Sequence, residues 1–428
     1  MDALSRTSTS ALRNALLAAL LCAPLAAAQD VEVEFGGHNK TRAVADVYPA
    51  DSVFNTLTGT TASSLENELR LNVDVQRGGW SLSGAWQLYG AWGDRVELLR
   101  ATNGGALPNL GYPPNDDRRL MNLTDVIHNE DRVVALHRLD RLSIGYTGEK
   151  FVIRAGRQAV SWGNGLVFSP MDIVNPFDPT AVDTEYKAGD DMIYAQYLRD
   201  NGDDVEFAQV FRRDPLTGSS GSSVGTTALK YHGFAGNGEY DILVADHYEE
   251  TLIAVGGNRS VGGAVVHGDV VWTDSAAGNR VQVVTNLSYS WVLGGKNMSG
   301  IVEYYYNQFG LRRGEYDLDG LLGNPELLER LARGEAFTAG RQYLAGGLSI
   351  EMTPLWMLTP NVFANLEDGS ALLQIVSRNS IGNEAELLSA LNLPIGPGGT
   401  EYGGLGTPLS DKYLSTTLSI FVQFAWYF

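Results

Sequence analysis

The sequence closes on FVQFAWYF, Phe421–Phe428. Five of these eight residues are aromatic and none is charged. Counted back from Phe428, Trp426, Phe424, Val422, Ile420 and Leu418 share one face of an extended chain. Tyr427, Ala425, Gln423 and Ser419 share the other, and Phe421 breaks the pattern. A strand of this kind needs an apolar phase on one side only.

The same alternation recurs upstream. In Leu65–Val75, Leu69, Leu71, Val73 and Val75 alternate with Glu66, Glu68, Arg70, Asn72 and Asp74. After the turn Arg77-Gly78-Gly79, Trp80, Leu82, Trp86, Leu88 and Trp92 oppose Ser81, Ser83, Gln87 and Tyr89. Further runs are Phe151–Ala155, Thr227–Gly233, Tyr240–Val244, Val266–Trp272, Val281–Leu293, Val302–Tyr306 and Leu344–Ile350. A soluble β-sandwich turns such apolar faces inward, and a transmembrane barrel turns them outward to lipid.

Three features favour the barrel. The runs last about ten residues, the length of a tilted membrane-crossing strand. Trp80, Trp92, Trp272, Trp291, Trp356 and Trp426 sit at run ends, as an interfacial girdle requires. Short connections (77–79, 147–149, 201–203, 236–238, 294–296) alternate with long ones (94–132, 161–190, 311–340, 395–412). The reading is an all-β, antiparallel transmembrane barrel of about eighteen strands, with sixteen as the alternative. The hardest pieces to assign are Asp30–Val47 and the pair Leu372–Asn379 and Ala385–Leu391. The last of these carries good helix formers at Glu384–Leu388.

The N-terminus has Arg6 and Arg13, an apolar run Ala15–Ala23, and small residues at Ala26–Ala28. This reads as a signal peptide, 1–28, ahead of a single barrel domain, 29–428. Its removal takes away the one cysteine, Cys22, and makes the formal charge of -19 one unit more negative. Such acidity argues against nucleic-acid binding. Mean hydropathy is -0.11, and no other segment approaches the length of an apolar helical span.

Several groups of residues are candidates for function. If Phe151, Ile153 and Ala155 face lipid, Arg154 and Gln158 face the lumen. Arg141, Lys230 and Arg378 fall on lumen positions too, with Glu66, Glu68, Arg70, Asp74, Glu206 and Glu303. The loop after Gln158 is stiffened by Pro170, Pro176 and Pro179 and carries Asp172, Asp178, Asp183 and Glu185. Folded inward, it would set acidic groups against a basic wall and create a transverse field. Arg157 has the wrong parity for the lumen, so a bulge re-aims it or it pins the loop. In the loop 311–340, Glu315, Asp317, Asp319 and Glu326 have calcium-loop spacing, with Gly320 at the turn. No other cofactor is indicated. The six histidines lack metal-ligand spacing and no G-x-S-x-G elbow occurs, so no enzyme is expected.

The stretch Gly156-Arg157-Gln158, then Trp162-Gly163, then Asn175-Pro176, resembles a pattern of large outer-membrane barrels akin to alginate-export channels and related eighteen-stranded porins. The closing strand resembles the signature read by the barrel-assembly machinery. These resemblances imply a Gram-negative outer membrane, contact with its lipid and lipopolysaccharide, and passive diffusion of small polar solutes or oligosaccharides. The alternatives are a closed barrel for polysaccharide attachment, with Tyr112, Tyr186 and Tyr402 stacking on sugars, or an outer-membrane enzyme.

Overall fold

A computed structural model of the protein describes residues 31–102 and 112–428; the expected signal peptide lies outside the described residues. Eighteen antiparallel strands form a closed barrel. Consecutive strands are neighbours, and the first, Glu32–Val47, pairs with the last, Leu418–Tyr427, to seal the wall. Closure leaves the barrel without an open edge, the condition for β structure in lipid.

The alternation is realised as expected for a lipid-facing exterior. Ile420, Val422, Phe424 and Trp426 are exposed on the outer surface, while Gln423 and Ala425 are buried within. Trp80 lies at one end of Trp80–Trp92 and Trp92 at the other, both among the most exposed large side chains. They mark the two interfaces of the apolar band. The start of Glu32–Val47, the C-terminus and the short turns 77–79, 147–149, 201–203, 236–238 and 294–296 lie at one end of the barrel, where Gly37 and Phe428 exchange backbone hydrogen bonds; the tight turns 248–249 and 276–277 lie at the other. The long connections lie at the other end.

The pieces that were hard to read are strands. Ala371–Ile381 pairs with Ala385–Ile395 in unbroken register, and Leu387 stands opposite Phe424. The ladder on both edges outweighs the helix propensity of Glu384–Leu388.

Two irregularities prepare the interior. Across from Ala85 and Trp86, Asp140 is an extra residue in Val133–Thr147, so Asp140 and the adjacent Arg141 both turn inward. The next strand, Phe151–Gln158, meets this neighbour only along Leu142–Thr147, while its other edge pairs throughout with Asp190–Leu198, and the chain leaves the wall after Gln158. Above it the neighbour's edge is taken by a short strand from a different loop, Thr124–Glu130, paired with Val133–Arg138. The wall stays sealed while the segment after Gln158 is free to enter the lumen.

Candidate functional site: the inward loop and the charged lumen

The chain from 159 to 189 runs around the inside of the barrel and is tied to successive strands. The Trp162 indole donates to Glu206 at 2.9 Å. The Asn164 backbone and side chain donate to Asp269 and Asp241 at 2.7 and 2.9 Å. The amides of Leu166, Val167 and Phe168 converge on the Glu303 carboxylate at 2.7, 3.2 and 2.6 Å. Phe168 stacks on Tyr305 with ring centroids 4.6 Å apart. Farther along, Gln374 donates to the Thr180 carbonyl, and Asp183 meets Lys40 at 2.7 Å and Gln423 at 3.0 Å. Glu185 takes Lys40 at 2.7 Å and the Tyr427 hydroxyl at 2.9 Å.

The circuit closes on itself. Lys187 reaches back to Asp172 at 2.6 Å, to the Val160 carbonyl and to Ser161. Gly163 permits the first bend: its φ is 95°, and a Cβ there would come within 3.0 Å of Asp269 and Met171. Asn175, with φ 52°, turns the chain ahead of Pro176 and donates to the Ala188 carbonyl. Buried Val160, Trp162, Met171, Ile173 and Val174 form one apolar cluster with wall residues, so this loop is a packed element.

The Lys187–Asp172 clasp is buried. Burial pushes the Asp172 carboxyl up to about 6, although Lys187 pulls the other way, and it moves Lys187 downward. Asp190 and Arg141 act on Lys187 with opposite signs. Because the folded-state value of Asp172 exceeds that of the unfolded chain, its contribution to stability is full below about pH 4 and is lost as pH rises through about 6. Acid therefore costs the barrel nothing at this group. The expected result is that the melting temperatures of the protein and of Asp172→Asn converge as pH falls from 8 to 5; a constant difference would contradict the burial argument.

The other candidates separate. Arg157 is neither in the lumen nor holding its own loop. It is almost wholly buried in the wall, donating to Asp191 and Asp116 at 2.9 Å and to the Met121 and Leu139 carbonyls. It fastens the segment that fills the gap above Gln158. Gly156, with φ 119°, sets up this position; a Cβ would lie 2.2 Å from the Leu142 carbonyl oxygen. Gln158 is buried beside it, donating weakly to the Met192 carbonyl.

Arg154 lies in the lumen, stacked on Tyr194 at 4.6 Å. Lys230 is held between Glu206 and Asp241, both at 3.0 Å. Arg378 is half exposed near the short-turn end, 3.6 Å from Glu386. Arg141 donates to the Lys187 carbonyl and to Asp140. These basic groups do not face the acids of the loop. Asp172 is spent on Lys187, and Asp178 caps its own turn at Thr180. Only Asp183 and Glu185 oppose basic wall residues, namely Lys40 and, more loosely, Arg42.

Sequence reasoning missed Lys40, Arg42 and Arg138. Together with Arg70, Glu68, Asp140, Asp183, Tyr186 and Phe421 they surround a cavity of about 360 Å³. Arg70 pairs with Asp140 at 2.8 Å and lies over the Tyr186 ring at 4.2 Å.

The loop carrying the calcium-like spacing uses its carboxylates otherwise. Asp317 caps the helix Leu318–Leu322, Glu315 accepts from the Arg312 amide, and Glu326 pairs with Arg280 at 2.6 Å. The four candidates Glu315, Asp317, Asp319 and Glu326 do not converge, and the described residues contain no cluster of metal-binding side chains. The sugar-stacking tyrosines are not free loop tips either. Tyr186 sits in the lumen, Tyr402 packs on the Phe168 cluster and Tyr112 on the Tyr89 cluster.

The fold and this inward loop together define an outer-membrane barrel with porin architecture. Structural comparison agrees. OccAB1 of Acinetobacter baumannii superposes with TM-score 0.52 at 8% identity, over 94% of this chain and 97% of that one. A BenF-like porin from Pseudomonas fluorescens gives 0.51 at 8%, covering 94% and 99%. The outer-membrane protein opdK from Pseudomonas aeruginosa gives 0.51 at 8%, covering 93% and 98%. At such identity the likeness concerns the fold. No protein-family model matches the sequence, and no curated protein matches it either. The eighteen-strand architecture of the anticipated relatives is present; their alginate-export branch is not supported.

Proposed function

We propose that the protein is a passive channel for small polar solutes across the outer membrane, and not an enzyme. Selection falls to the constriction built by residues 159–189. The observation that carries this reading is the inward loop itself: it is anchored around the wall, yet it leaves a space lined by charged groups between Asp183 and the arginines of the first, second and fourth strands. Opposed charges across so narrow a space act on a passing ion in a low-dielectric surround. Polysaccharide attachment draws less support, because the tyrosines that would have served it are packed inside. Lipopolysaccharide contact and delivery by the barrel-assembly machinery belong to the same proposal.

The test is a reversal potential across a planar bilayer under a potassium chloride gradient. Asp183→Asn with Glu185→Gln leaves Lys40 without its counter-charges and takes one of three from Arg42, so selectivity should move toward chloride. An ion ratio unchanged in well-folded double variant would remove the loop from the selective step.

A further inference from the structure

Asn39, Thr41 and Asn67 face outward, on the surface that meets lipid; the residues beside them in the chain, His38, Lys40 and Glu66, are the buried, inward ones. Followed across the ladders, Thr41 leads to Asn67 and then Gly90, and Asn39 to Leu69 and then Leu88. Gly90 and Leu88 lie between Trp80 and Trp92, which mark the two interfaces, so all three polar side chains sit inside the apolar band.

The two amides join face to face. Asn67 donates to Asn39 at 3.1 Å and Asn39 to Asn67 at 3.4 Å; Asn67 also donates to Thr41 Oγ1 at 2.9 Å and to the Lys40 carbonyl at 3.3 Å. An amide has two N–H donors and an oxygen with two lone pairs. Among the described residues, an Asn39 N–H, the Thr41 hydroxyl hydrogen and a lone pair on each amide oxygen remain unmatched. Hydrocarbon cannot match them, and a polar group left open in it costs free energy.

The chemistry of the cluster selects its cover. It carries no charge, which argues against a lipid phosphate or an ionic partner. It offers both donors and acceptors, so its best complement is a second set of the same amides. Ala43 and Ala45 on the first strand and Gly90 beside Asn67 keep the wall low here, and small residues let membrane-spanning backbones approach closely. Barrel strands tilt about 35–45°, so the facing strands of two upright barrels cross at roughly 70–90° and touch over a short patch. Three clustered polar side chains fit a contact of that size.

We infer that Asn39, Thr41 and Asn67 form the centre of an interface between two copies of this barrel, the amides of one meeting those of the other across a twofold axis along the membrane normal. Each copy keeps its own lumen, so the interface stands apart from the channel reading.

The one cysteine, Cys22, falls in the expected signal peptide, so introduced thiols report contact without background. Ala43→Cys, next to the cluster, should form a disulfide-linked dimer when outer membranes are treated with copper phenanthroline. Val255→Cys, exposed on the far side of the barrel, should not. Adding Asn39→Leu and Asn67→Leu to Ala43→Cys should lower the linked fraction roughly tenfold, the scale of two lost intramembrane hydrogen bonds. Heat-modifiable mobility and single-channel conductance should not change, because leucine suits lipid and neither position faces the lumen. Light scattering in mild detergent should give two copies per particle, and one for the double leucine variant. No link at Ala43→Cys, equal linking at Val255→Cys, a link that survives both leucines, three copies per particle, or a disulfide to a different protein would overturn the interface.

Discussion

Arg157→Leu should lower the stability of the barrel by about 3–5 kcal/mol, the cost of stripping one partner from a buried ion cluster. The guanidinium is shared by Asp116, Asp191 and two backbone carbonyls, and almost none of it reaches solvent. Leucine would leave Asp191 buried without a cation, and Asp116 with Arg119 alone at 3.1 Å, at the place where the chain leaves the wall after Gln158. The measurement is the urea midpoint of tryptophan fluorescence in detergent. Adding Asp191→Asn to Arg157→Leu should recover part of the loss, because the uncompensated charge is then gone. An unchanged midpoint in the single variant would show that Arg157 does not hold the wall patch.

Replacing residues 163–186 by a short glycine-serine linker should raise single-channel conductance several-fold and flatten its ion selectivity. The segment fills the lumen from Glu206 around to Lys40, and its removal opens the cross-section to water. Thermal stability should fall at the same time. Glu303 now satisfies three amides of the loop and Asp269 two groups of Asn164, and both would face the lumen without them. Conductance equal to that of the intact protein would mean that the narrowest point lies elsewhere.

The exterior was legible in the sequence because lipid demands contrast. Leu69 to Val75 and Leu418 to Phe428 alternate sharply, and each outward residue sits where parity put it, with Phe421 as the exception that parity also flagged. The first strand was hard to read for the same reason. Its outward positions Asn39, Thr41 and Ala43 are small or polar, so His38, Lys40 and Arg42 had no apolar partners to alternate with. Three lumen-facing side chains, two of them cations of the selective region, were hidden there.

The loop's entry into the lumen followed from its length, prolines and acids. Its anchors did not, since Trp162 meets Glu206 forty-four positions away and Asp183 meets Gln423 two hundred and forty away. Local spacing carries no trace of such contacts. Arg157 shows the limit most clearly. Its odd parity announced something unusual, but its partner Asp116 comes from another loop. The calcium spacing misled because sequence order fixes the distance between carboxylates only once a loop has wound around an ion, and here Arg280 and a helix cap claim them first.

The most direct test of a constricted, water-filled channel is single-channel recording from the purified protein in planar bilayers, with folding verified by heat-modifiable mobility. Ohmic steps of uniform size, whose ion selectivity moves toward chloride in Asp183→Asn with Glu185→Gln, are the predicted result. Folded, inserted protein that passes no current would contradict it.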